Sequence, residues 1–187
     1  MSKVFISGSR MISRLNTDVT NRLHNIIMRG HEVLTGDANG VDKAIQRYFF
    51  ERSYDDVTIY HVGDEPRNNV GGWRSIAVDT VGNARGRDLY TQKDKRMAEV
   101  ADNGMIIWDG KSSGSVQNMI WLISNFKSSL VYFAPMKEFV KIQNKDDLAD
   151  LLDQIDDADR AEIDRKIGVN NFVTGKTSEY SQGSLEF

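Results

Sequence analysis

Gly104-Met-Ile-Ile-Trp-Asp-Gly-Lys-Ser-Ser-Gly-Ser-Val-Gln-Asn118 changes character twice along its length. The apolar run Met105-Ile106-Ile107-Trp108 suits one buried strand and is far too short to cross a membrane. Asp109 and Gly110 end that run, and Lys111, Ser112, Ser113, Gly114 and Ser115 follow as a small, hydroxylated segment. Val116, Met119, Ile120 and Ile123 then recur at helical spacing. The stretch therefore reads as strand, tight turn, helix. Such a turn ends at a helix N-terminus, where unpaired N–H groups and the helix dipole favour an anion such as phosphate.

The same alternation continues on the N-terminal side. Lys3-Val-Phe-Ile-Ser7 is a strand running into Gly8-Ser9-Arg10, and Leu15, Val19, Leu23, Ile26 and Ile27 mark an amphipathic helix stopped by Gly30. Glu32-Val-Leu-Thr35 is a second strand, followed by the turn Gly36 to Asp42 and a helix carrying Val41, Ala44, Ile45, Tyr48 and Phe49. Val57 to Val62 is a third. The segment from Gly63 to Arg87 has no clear period, and a loop of that length in a compact domain tends to be functional or mobile. A helix resumes near Leu89 with Met97, Val100 and Ala101 on its apolar face.

Beyond the opening stretch, Leu130 to Ala134 is a strand closed by Pro135, Phe139 to Ile142 suits an edge strand, and Asp146 to Ile167 reads as one or two helices. Strands alternating with helices imply right-handed βαβ units. The expected fold is α/β, a mostly parallel sheet of about five to six strands with helices on both faces. Residues 1–143 form the main unit, 144–167 a helical extension packed on it, and 168–187 a flexible polar tail.

Composition narrows the function. At 40% hydrophobic and 27% charged the chain is an ordinary globular protein. A net charge of −3 gives no general pull toward nucleic acid or anionic membrane. The absence of cysteine excludes disulfides, thiolate catalysis and cysteine-ligated zinc. His24, His31 and His61 stand apart without metal-ligand spacing, so no metal is expected, and no cofactor either. No stretch is apolar enough for a membrane helix, and Met1-Ser-Lys-Val-Phe-Ile6 lacks a signal-peptide layout, which points to the cytoplasm.

In parallel sheets ligands bind beyond the strand carboxyl ends. Three loops fall there. Gly8, Ser9 and Arg10 offer backbone, hydroxyl and guanidinium to a phosphate, or form an ordinary turn with a solvated arginine. Gly36, Asp37 and Asp42 place carboxylates where ribose hydroxyls would donate, or else Asp37 or Asn39 caps the next helix. Gly110, Lys111, Ser112, Ser113, Gly114 and Ser115 form a small-residue anion cradle, or a turn whose glycines serve packing. The last is not a P-loop, because the glycine required five positions before Gly110 is Met105. Lys93, Asp94, Arg96 and Glu99 share one helix, where such charges usually form a solvated face; Asp94 and Glu99 are the acid/base candidates there. Trp73 and Arg74 either form a lid over a base or pack the irregular segment down. Trp108 and Trp121 belong to the core.

Taken together, Ile6-Ser-Gly-Ser-Arg10, Gly36-Asp-Ala-Asn-Gly-Val-Asp42 and Met97 to Asp102 leading into Ile106-Ile-Trp-Asp-Gly-Lys-Ser-Ser-Gly-Ser115 resemble the SLOG superfamily. That group joins the DNA-processing protein DprA with the Lonely Guy phosphoribohydrolases. The likeness covers about residues 3–135 and is strongest to small stand-alone bacterial and phage members. It implies a Rossmann-like sheet binding a nucleotide or nucleotide derivative, in a homodimer or higher homo-oligomer. Lonely Guy enzymes cleave the N-glycosidic bond of a nucleoside monophosphate with an arginine and a glutamate. In this chain Lys93 stands at the arginine position and Asn118 at the glutamate position. Lys93 keeps the charge without the bidentate fork, and Asn118 cannot act as an acid or base. If the chain is a hydrolase, the resemblance leaves Asp109, Asp94 or Glu99 to supply the carboxylate; otherwise it senses or sequesters a nucleotide signal. DNA binding of the DprA kind is disfavoured by the acidic balance and the lack of a basic stripe.

Overall fold

Neighbouring residues on each strand belong to two different cores. Phe5 packs with Leu34, Tyr60, Ile106 and Val131, whereas Ile6 packs with Val33, Ile59, Met105 and Ile107. This is what side-chain alternation produces when a sheet is covered on both faces. The computed structural model describes residues 1–79 and 87–175. The strands are β1 (Lys3–Gly8), β2 (Glu32–Gly36), β3 (Val57–His61), β4 (Ser75–Ala77), β5 (Asn103–Trp108), β6 (Ser129–Phe133) and β7 (Glu138–Ile142). They form one sheet in the order β4-β3-β2-β1-β5-β6-β7, parallel throughout except for β7, which pairs antiparallel with β6. The result is a doubly wound, Rossmann-like α/β sheet.

Helices α1 (Thr17–Met28) and α2 (Val41–Phe50) cover one face with Val19, Leu23, Val41, Ile45 and Phe49. Helices α3 (Arg87–Val100) and α4 (Ser113–Ser124) cover the other with Met97, Ala98, Val116, Met119 and Leu122. Onto that second face pack α5 (Lys145–Leu152), α6 (Asp157–Ile167) and α7 (Val169–Val173) through Leu148, Leu151, Leu152, Ile163 and Val169. None of the described helices is long and apolar enough to cross a membrane.

Local sequence explains where the helices begin. Asn16 caps α1 by accepting from the Val19 N–H at 3.0 Å, and Asn144 forms a reciprocal capping box with Asp147 at the start of α5. Lys127 closes the far end of α3, its Nζ donating to the carbonyls of Ala98 at 2.9 Å and Glu99 at 2.5 Å.

Three expectations change. The sheet has seven strands rather than five or six, because β4 arises inside the aperiodic segment read as a loop; the part of that segment from 80 to 86 lies outside the described residues. The polar tail read from Gly168 instead begins with α7, whose Val169 is fully buried; residues 176–187 lie outside the described residues. Neither Asp37 nor Asn39 caps α2. Its N-cap is Gly40 at φ +83°, where a Cβ would also stand 2.4 Å from the Arg10 carbonyl oxygen.

After β3 and β4 the chain crosses to the other side of β1 and continues as β5. The loops after β1 and β5 therefore diverge to opposite faces, and the crevice between them lies at the switch in strand order.

Candidate functional site

A cleft of about 690 Å³ opens at that switch, within the range of small-ligand pockets. Gly8, Ser9 and Arg10 line it from the end of β1, Asp109 and Lys111 from the end of β5, and Ser112, Ser113, Gly114, Ser115 and Asn118 from α4. Asp42, Lys93 and Asp94 also line it. Two loops distant in sequence and the starts of two helices thus meet at one place.

The two loops are braced against each other. Ser9 Oγ donates to Asp109 Oδ2 at 2.5 Å and accepts from the Met11 N–H at 3.1 Å. Asp109 Oδ1 accepts from the N–H groups of Lys111 at 3.1 Å and Ser112 at 2.8 Å. Both carboxylate oxygens are engaged in shaping the turn, so Asp109 is a brace and not a free acid or base. Gly110, at φ +81°, lies behind the turn; a Cβ there would face Pro135 at 3.3 Å rather than the cleft.

Ser112 is the N-cap of α4 and accepts from the Ser115 N–H at 3.3 Å. Among the described residues nothing accepts from the N–H groups of Ser113 and Gly114. No described carboxylate pairs with Arg10. Free helix-terminal donors and a free guanidinium on the rim of one cleft make a setting for a phosphate-sized anion.

On the opposite wall lies a cluster of charges. Lys93 is only 2% exposed, and its Nζ donates to Asp94 at 2.6 Å, with Asp37 at 3.9 Å and Asp42 at 4.0 Å. Gly36 makes this possible, since a Cβ there would stand 2.3 Å from Lys93 Nζ and 2.5 Å from Asp42 Oδ2. Burial pulls the Lys93 ammonium down, but Asp94, Asp42 and Asp37 outweigh it and leave its pKa above the ordinary lysine value. Of the helix charges read as a solvated face, Arg96 and Glu99 do face solvent, whereas Lys93 is the centre of a buried ion cluster.

Asp37 is fully buried beneath the cleft rather than facing it. Arg67 grips it with Nε to Oδ2 at 2.9 Å, Nη2 to Oδ1 at 2.6 Å and its main-chain N–H to Oδ2 at 3.0 Å. Burial pushes the Asp37 carboxyl up, but the Arg67 hydrogen bonds and the charges of Lys93 and Arg67 bring it below its ordinary value. The expected ribose contact at Asp37 is thus already filled by an arginine. Arg67 itself came from the aperiodic segment and carried no sequence signal; its guanidinium stacks 4.3 Å from the centre of the Tyr90 ring, and Tyr90 lines the cleft.

Asp42, 5% exposed, is the carboxyl that does reach the cleft wall, accepting from the Ala38 N–H at 3.2 Å. Burial raises its pKa from 3.8 to about 6; Lys93 and the Ala38 N–H oppose the rise, Asp94 and Asp37 add to it. The folded protein therefore holds a proton that the unfolded chain has released, so stability falls as pH climbs from about 4 to about 6. Asp42→Asn should remove a slope on the order of 3 kcal/mol across that window. Urea unfolding at pH 4 and pH 7 checks this, and an undiminished slope in the variant would rule out Asp42 as its source.

Glu99 is not part of the site. It faces solvent and pairs with Arg96 at 3.2 Å. Trp73 and Arg74 do not line the cleft either; Trp73 is 9% exposed, and its Nε1 donates to the Tyr54 carbonyl at 3.1 Å, which fixes the irregular segment to the α2 face. Trp108 is core, as expected, stacked on Phe133. Lys166 of α6 is a lining residue that the sequence did not single out. Compared with models of known protein families and with curated proteins, the chain finds no match.

Proposed function

We propose that this protein is a nucleotide-binding protein of the SLOG type, taking a nucleotide or nucleotide-derived ligand in the switch-point cleft. The observation that carries the reading is the pairing of free N–H groups at Ser113 and Gly114 with an unpaired Arg10 across one 690 Å³ cleft. That arrangement suits a phosphate with a sugar and base extending from it.

Retention of an intact ligand is favoured over turnover. Asp109 spends both oxygens on the turn, Asp94 holds Lys93, and residue 118 is an amide. A hydrolytic reading, cleavage of an N-glycosidic bond, draws its support from Asp42, whose pKa of about 6 suits proton exchange near neutrality.

Incubation of the purified chain with a panel of nucleoside monophosphates separates the two. The expected result is co-elution of one intact nucleotide in gel filtration with no free base by chromatography. Release of free base in proportion to protein would establish the hydrolase instead, and neither binding nor release would remove the nucleotide assignment.

A further inference from the structure

Four buried side-chain polar atoms among the described residues have no hydrogen-bond partner: Thr35 Oγ1, His61 Nδ1, Ser129 Oγ and Asn118 Oδ1. Of these residues only Asn118 lines the cleft. It is 4% exposed, and its Nδ2 donates to Ser7 Oγ at 2.9 Å. Ser7 therefore holds one end of the amide and leaves the oxygen unmet. A buried acceptor without a partner costs free energy that an incoming donor recovers.

We propose that Asn118 reads a sugar hydroxyl of the bound nucleotide, so that the cleft selects ribonucleotides over analogues lacking that hydroxyl. The inference rests on the nucleotide reading above. Its geometry comes from α4. Asn118 follows Gly114 by one helical turn, about 6 Å along the axis. If phosphate is held by the first-turn N–H groups, a donor one turn away belongs to the sugar attached to that phosphate, with the base edge further out. A hydroxyl also suits an amide on chemical grounds, because it donates to the oxygen and keeps acceptor capacity for a neighbour. The role expected of Asp37 thereby passes to Asn118, since Arg67 already occupies the Asp37 carboxylate.

A site built to pair a hydroxyl rejects the analogue without it, because its own buried group is then stranded. The test is calorimetric titration of the full chain with AMP, GMP, CMP and UMP. The tightest binder is then compared with its 2′-deoxy and 3′-deoxy counterparts. One deoxy form should bind on the order of tenfold to a hundredfold more weakly to the wild type. Asn118→Leu should bind the ribose and deoxy forms alike, and Asn118→Asp, which keeps an acceptor there, should retain the preference. Equal affinity of the wild type for all three forms overturns the inference and leaves the nucleotide reading standing. A preference that persists in Asn118→Leu overturns it too, by assigning the hydroxyl to another residue. If none of the four nucleotides binds the wild type, the nucleotide reading falls and the inference falls with it. The wild-type comparison decides the matter even if a variant does not fold.

Discussion

Gly8→Ala is expected to destabilise the protein at or above the upper end of the ~1–3 kcal/mol that overpacking costs. An alanine Cβ would lie 2.2 Å from the Ile107 carbonyl oxygen and 2.9 Å from Val41 Cγ2. Ile107 is the register partner of Gly8 across β1 and β5, and the same carbonyl accepts from the Ser9 N–H at 3.0 Å. The clash therefore falls on backbone at the switch point, where no flexible side chain can swing away. Relief requires β1 and β5 to part at their carboxyl ends, which pulls Ser9 from Asp109 and opens the turn between β5 and α4. Loss of stability and of the nucleotide binding proposed for the cleft should appear together. Gly114→Ala is the control, because its Cβ would meet only Ser112 Oγ, at 3.8 Å. It sits in the first turn of α4, where alanine is the better helix former, and should be neutral or slightly stabilising. Urea denaturation of both variants checks the argument, and equal losses would sink it.

Gly8 shows why so much of the cleft was legible in sequence. Short continuous apolar strands ending in small polar turns locate the carboxyl ends of β1, β2 and β5, and a parallel sheet brings those ends to one edge. Arg10, Asp42, Lys111 to Ser115 and Asn118 all line the cleft for that reason. What escaped was decided by contacts distant along the chain. β4 contains only Ser75, Ile76 and Ala77, too short for any periodicity to show. In α7 the residues Val169, Phe172 and Val173 do recur at helical spacing, but the surrounding polar tail hides them.

The two aspartates of the second loop illustrate the same limit. Sequence places both Asp37 and Asp42 near a ligand, with Asp37 the expected ribose contact, and the position of Arg67 reverses that order. By gripping Asp37 from a segment without periodicity, Arg67 removes it from the cleft and leaves Asp42 as the carboxyl of the pair that lines it. Lys93 is the larger surprise, because a lysine in the run Lys93-Asp94-Lys95-Arg96 reads as solvated. Its burial depends on the space left by Gly36, which lies in a different element.

That burial makes Lys93→Met the most informative change in the cluster. Methionine fills similar volume and removes the one cation shared by Asp94, Asp42 and Asp37. Asp37 keeps Arg67, but Asp42 and Asp94 lose their counter-charge, and stranding a buried charge costs about 3–5 kcal/mol. The loss should depend on pH in a definite direction. In the wild type, burial holds the folded pKa of Asp42 at about 6, and Lys93 restrains it from going higher. Without Lys93 the carboxyl rises further, so the variant must bind a proton that the wild type has already released. Below about pH 6 Asp42 is protonated in both folded proteins, and the two differ least. Above pH 6 the variant alone is still losing stability as pH rises, and the gap widens toward its own higher pKa. Unfolding free energies at pH 5 and pH 8 should therefore show a larger deficit at pH 8. An equal deficit at both would mean that Lys93 contributes packing of its stem and not charge. Asp42→Asn combined with Lys93→Met supplies the decisive comparison: with no carboxyl at residue 42, the widening above pH 6 should disappear, leaving the deficit from the lost pairing with Asp94, the lost charge beside Asp37 and the changed packing of the side chain.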